Sequence, residues 1–211
     1  NSKFTDNKNR TLTADNFEYD FIFASRAFSK LDFKVFIFSF FGYSQKIENG
    51  VINYDILESE IIKQINEHRK NIGIGVLSKS KVVNQEITSK HALLNAKSDL
   101  GFHPKYDRTN KVINEKIYKE ICVINKVSEL TLDMLDMNSY AEILNVFENY
   151  ELSTYQEFAS ISVKAWLNSP PHKKTIESNF TNVFGFSGLI SCSVKKSITG
   201  KYFIFVIILQ V

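Results

Sequence analysis

Two histidines stand where proline and glycine interrupt the chain. His172 directly follows Pro170 and Pro171, and His103 lies between Gly101 and Pro104. Proline lacks an amide donor and its ring clashes with the preceding turn, and residues before a proline are pushed toward extended geometry. His172 is therefore expected on a fixed, non-helical elbow and His103 in a loop, positions from which a rigid scaffold presents functional side chains. Imidazole supports acid–base work near neutral pH and metal ligation. His68 and His91 instead fall on apolar helical faces and are read as packing residues. Cys122 is next but one to Glu120, so a thiol nucleophile with a histidine base is conceivable, but nothing in the sequence activates it. No Gly-x-Ser-x-Gly elbow and no phosphate-cradling glycine loop occurs.

The elements that must position these residues follow from periodicity. Leu57, Ile61, Ile65, His68 and Ile72 are spaced by three or four and mark one helical face, which Gly73 ends. Val83, Ile87, His91 and Leu94 repeat the spacing on a second helix, with Ala92 and Ala96 for close packing and Gly101 as the stop. Residues 106–116 read as irregular, 117–127 as a strand or short extended piece, and 130–150 as a weak helix. Ser153 with Gln156 forms a capping-box pattern ahead of a helix that buries Phe158, Ile161, Ala165 and Trp166. Residues 183–194 read as a strand interrupted by Gly185 and Gly188, and 197–200 as the turn into a final strand, 202–209. That strand is apolar on both faces, so helices should cover both sides of the sheet. The fold class is α/β, a three-layer α-β-α sandwich.

Composition narrows the function classes. The chain has 211 residues, 44% hydrophobic and 23% charged, which suits one large domain or two small ones. Its net charge of +3 is carried by scattered lysines, not by a basic stripe, so no nucleic-acid partner is expected. The two cysteines, Cys122 and Cys192, are read as free buried thiols, with a single bridge left open.

Residues 1–16 are polar and read as a flexible tether. Residues 17–41 carry nine phenylalanines, and Phe36, Phe38 and Phe40 alternate as in a strand buried on both faces. The segment 17–50 is expected to be an extension packed on the main domain, 51–211, with a partner-binding aromatic patch as the sharper reading. The longest apolar runs, 35–41 and 202–209, fall short of the ~20 residues of a spanning helix. The chain opens without a leader-like start, so a signal and anchor are expected to have been removed.

Trp166-Leu-Asn-Ser169-Pro-Pro-His172-Lys-Lys, with Gly185 after an Asn-Phe-Thr turn, resembles the signature of bacterial SCP domains. These are members of the CAP superfamily of cysteine-rich secretory, antigen-five and pathogenesis-related proteins. Ile65-Asn-Glu-His-Arg69, Leu77, the Ala92 and Ala96 helix and His103 fit as well, and the phenylalanine-, lysine- and isoleucine-rich makeup is similar to that of spirochaetal surface lipoproteins. The resemblance implies a CAP-type sandwich over residues 52–211 and a cleft of two histidines and two acidic residues able to hold a divalent metal such as zinc. Carried over, His103 and His172 are the histidines, Glu120 takes the glutamate of a Gly-Glu-Asn motif, and Ser169 stands where the second glutamate belongs. Many eukaryotic relatives are disulfide-rich, and this chain departs from them.

With that acidic set degraded, the resemblance implies a non-enzymatic protein on the extracellular face, held by an N-terminal lipid. It would bind a small apolar ligand such as a lipid or sterol, or a host protein, through the cleft. A metal-dependent hydrolase or peptidase using His103, His172 and Glu120, and a structural surface-layer protein, are the alternatives.

Overall fold

Tyr202–Leu209 is an inner strand of the main sheet and pairs along its whole length with both neighbours. The structure is a computed structural model that describes residues 4–5, 11–12, 46–47, 51–128, 140–148, 154–178 and 186–209. The chain divides into two compact units, Asn1–Gln45 and Lys46–Val211. In the first, strands β1 (Phe4–Thr5) and β2 (Thr11–Leu12) pair antiparallel, within the stretch read as a tether. The expected strand through Phe36, Phe38 and Phe40 lies outside the described residues.

The second unit holds a four-stranded sheet in the order β3 (Ser78–Lys79), β5 (Leu189–Lys196), β6 (Tyr202–Leu209), β4 (Tyr140–Phe147). β6 runs antiparallel to both neighbours, with Phe205 opposite Leu144 and Ser193, and β3 lies parallel to β5. Alternation sorts its side chains. Ile204, Val206 and Ile208 meet helices α1 (Tyr54–Asn71) and α5 (Tyr155–Leu167) through Leu57, Ile61, Ile65, Phe158 and Trp166. Ile207 and Leu209 meet Val83, Ile87, Ile117 and Ile121 on the opposite face. Each buried chain of this size contributes about 1.5–3 kcal/mol relative to exposure. The expected three-layer sandwich is the observed fold.

Helix α1 starts at Asn53, whose side chain accepts from the Ile56 amide at 3.3 Å, and ends as Gly73 takes φ +79°. Its buried face continues through Arg69, not Ile72, which is 46% exposed. The second helical region is built of α2 (Lys81–Val83), a π-helical turn (Asn84–Thr88) and α3 (Ser89–Ser98). Val83, Ile87, His91, Ala92 and Ala96 are buried as expected, but the wider turn rotates the face, so Asn95 enters and Leu94 leaves. Asp99 (φ 55°) makes the left-handed exit, two residues ahead of the stop expected at Gly101.

Four readings are corrected. Residues 117–127 are not a strand: helix α4 (Lys111–Asn125) starts on Asn110, whose side chain accepts from the Ile113 amide, and buries Ile117 and Ile121 at a spacing of four. That spacing outweighs the strand propensity of its β-branched residues. Within 130–150, β4 replaces the weak helix over the described residues 140–147. The cap of α5 is Thr154, accepting from the Glu157 amide at 3.1 Å, and Ala165 faces solvent while Val163 is buried.

Cys122 and Cys192 are free and buried in hydrophobic clusters on opposite faces of the sheet, so the bridge left open does not form. Burial pushes the Cys192 thiol well up, which removes its reactive thiolate, whereas Cys122 borders an open surface cavity of about 470 Å³. Ellman's reagent should therefore modify at most Cys122 in the native protein and both thiols in denaturant without reductant. Fewer than two in denaturant would contradict the free state of both thiols.

Candidate functional site

Edge strand β4 carries a glutamate into a nest of aromatic and imidazole rings. Glu142 is 8% exposed at its side chain; its Oε2 lies 3.1 Å from Nδ1 of His103 and its Oε1 lies 2.7 Å from Nδ1 of His91. The His91 contact is close but poorly aligned for a hydrogen bond. The Tyr140 hydroxyl donates to Oε1. Burial holds that hydroxyl far above its usual range, with the Glu142 contact adding to it, so Tyr140 remains a donor. For Glu142 itself burial favours the protonated form, but the close His91 contact, the bond from Tyr140, the His91 charge and His103 outweigh it and leave the carboxyl below its usual range.

Both imidazoles are also set by packing. The rings of His91 and His103 each meet the ring of Phe205 edge-on, with centroids 5.9 and 6.0 Å away. His91 projects from α3, and the His103 loop is fixed by the Phe102 amide donating to Asn95 Oδ1 at 2.7 Å. Tyr106 stacks on Tyr140 at 5.2 Å, and the Arg108 guanidinium lies 5.3 Å from the same ring.

His172 approaches from another element. Pro170 and Pro171 do not end a helix into an elbow here; they start a new one, α6 (Pro170–Ile176), and His172 sits in its first turn. Proline fits there because the first amides of a helix have no intrahelical partner. Burial, and then the His103 charge, push the His172 imidazole below its usual range. Ser169 caps α6 through its backbone alone, its carbonyl accepting from the Lys173 amide at 2.8 Å. Trp166, 1% exposed, donates from Nε1 to the Leu144 carbonyl at 3.1 Å and so pins the strand that carries Glu142.

Glu120 belongs elsewhere. It accepts from the Ser80 hydroxyl and from the amides of Lys81 and Val82, at 2.8 and 3.3 Å, as an anionic cap on α2. The glutamate beside His103 is Glu142, on β4. A lone carboxylate inside an otherwise strand-like run was the available signal. Gly185 lies outside the described residues.

The donor set does not fit a catalytic zinc ion. Such a site takes three protein ligands and leaves one position for water. Both Glu142 oxygens are already engaged, and among the described residues no group of three His, Cys, Asp or Glu side chains is assembled for a metal.

No family model matches this sequence, and no curated protein is significantly similar to it. The structure is similar to an outer surface protein from Borrelia burgdorferi, at 17% identity and TM-score 0.50, over 79% of this chain and 98% of that one. It is also similar to a cysteine-rich secretory protein from Staphylococcus aureus (14% identity, TM-score 0.42, 76% of this chain, 40% of that one). A third is the CAP domain of enterococcal PrgA (19% identity, TM-score 0.39, 94% and 79%). At these identities the likeness is one of fold.

Proposed function

We propose that this chain is an extracellular binding protein of CAP/SCP type whose histidine cleft takes a small amphipathic ligand of lipid or sterol class. The observation that carries this reading is that Glu142 spends both oxygens on His91, Tyr140 and His103. The cleft then offers oriented imidazoles as hydrogen-bonding groups, with no carboxylate left open for acid–base work. Leu100 and Phe102, 65% and 40% exposed, lead directly into His103 and supply apolar surface for the body of such a ligand. The Borrelia burgdorferi protein it is similar to is an outer surface protein, and extracellular placement with an N-terminal lipid anchor is part of the same proposal.

Displacement of a fluorescent fatty acid or sterol tests it. Binding is expected in the intact chain and should weaken about tenfold, equivalent to about 1.4 kcal/mol, in both Phe102→Ala and His103→Ala. A hydrolytic turnover abolished by His172→Ala would overturn it, as would unchanged binding in both variants. Binding of a host protein with no lipid response would move the function to a macromolecular partner.

A further inference from the structure

At the opposite edge of the sheet from the histidine cleft, β5 outruns its short neighbour β3, which pairs only with Leu189 and Ile190. Side chains take over the exposed edge beyond. Asn84 Nδ2 donates to the Cys192 carbonyl at 2.7 Å, and the Val194 amide donates to Glu58 Oε1 at 3.0 Å. Between them lies a cavity of about 270 Å³ bordered by Asn53, Tyr54, Asp55, Glu58, Asn84, Ser89, Ser193 and Lys195. Ser193 and Glu58 form its base, at 1% and 8% exposure. Asn84 is placed there by the π-helical turn Asn84–Thr88, an irregularity frequent at functional sites.

We propose that this cavity is a binding site for a neutral monosaccharide. Its donors and acceptors are interleaved, with Lys195, the serine hydroxyls and the asparagine amides beside the carboxylates of Asp55 and Glu58. Both charge signs are present, so a neutral polyol that both donates and accepts is matched better than an ion. Asn84 keeps its amide oxygen for a ligand while its nitrogen holds the sheet edge. The Tyr54 ring, with the Lys195 ammonium 6.0 Å from its centroid, adds an aromatic wall to the cavity. Burial raises the Glu58 carboxyl above its usual range, which suits a group that accepts from one hydroxyl and donates to another. The volume lies just below that of pockets for drug-sized molecules, so it suits one sugar ring.

Saturation-transfer NMR on the intact chain with free glucose, galactose, mannose and N-acetylglucosamine tests the proposal. At least one should respond with a roughly millimolar Kd, the range such small ligands reach. Ser89→Phe, which fills the mouth, and Ser193→Val, which removes the buried hydroxyl, should each lower affinity at least tenfold while thermal unfolding stays cooperative. Phe102→Ala in the other cleft should leave the response unchanged. No transfer to any of the sugars, undiminished transfer in both folded cavity variants, or a response to calcium alone would overturn the assignment.

Discussion

Replacing Arg69 by methionine should cost about 3 kcal/mol or more and lower the Tm by roughly 6–12 °C for a chain of this size. Arg69 is 2% exposed and no carboxylate pairs with it among the described residues. Its guanidinium donates from Nε to the Gly75 carbonyl at 2.8 Å, and from a terminal nitrogen to those of Ile176 and Ser178 at 2.6 and 2.9 Å. Burying the charge is a real cost, and it holds the guanidinium below its usual range. Methionine relieves that cost. It also strands buried carbonyls at the C-terminal end of α6, where a cation is most favourable, and frees the loop after α1. Hydrogen bonds from a charged donor contribute about 1.5–3 kcal/mol each, so their loss outweighs the relief. Lysine should recover only part of the stability because one ammonium cannot present the same fork. Urea unfolding of wild type, Arg69→Met and Arg69→Lys measures this, and equal stability of wild type and Arg69→Met would refute the account.

The segment around Arg69 shows how sequence and structure relate in this chain. Ile65-Asn-Glu-His-Arg69 was legible as a resemblance, and its polar residues turn out to be ties between elements. Asn66 exchanges two bonds with the backbone of Leu77, at 2.8 and 2.9 Å, and His68 meets Glu177 at 2.8 Å. Periodicity could place Leu57, Ile61 and Ile65 inward, but it could not say that Arg69 follows them while Ile72 does not. That choice is made by carbonyls more than a hundred residues away.

The layering was legible because a strand apolar on both faces, Tyr202–Leu209, requires cover on both faces. Helix α4 was missed because Ile, Val and Tyr favour strands locally, while Asn110 and a spacing of four decide otherwise only once a sheet face awaits Ile117 and Ile121. The cleft was half legible. His103 lies in a loop as its flanks suggested, whereas the elbow expected at His172 is the first turn of α6. Glu120 drew the reading away from Glu142 because a carboxylate capping α2 and a carboxylate binding a histidine look alike in sequence. The sandwich separates them by placing α4 against α2 and β4 against the His103 loop.

Glu142→Gln should lower stability by about 2–3 kcal/mol at pH 7, and the loss should shrink as the medium is acidified. The amide keeps the size of the side chain but removes the charge that His91, Tyr140 and His103 converge on, and charge-assisted bonds are the stronger kind. The direction with pH follows from the carboxyl itself. Its folded-state pKa lies below the ordinary 4.5, so its contribution is complete above about pH 4.5 and is lost as pH falls through the lower folded value. Unfolding curves for both proteins at pH 7 and near pH 3 should converge at the acid end, and a difference that stays constant across that range would sink the assignment. Ligand binding should separate position from stability. Replacing His91 and Glu142 together by leucines removes a buried ionic contact whole, a change that is often neutral for stability. His103 would then keep its edge contact with Phe205 but lose the carboxylate that orients it. If the cleft binds through an oriented imidazole, that double variant regains much of the stability of Glu142→Gln without regaining its affinity for the displaced lipid.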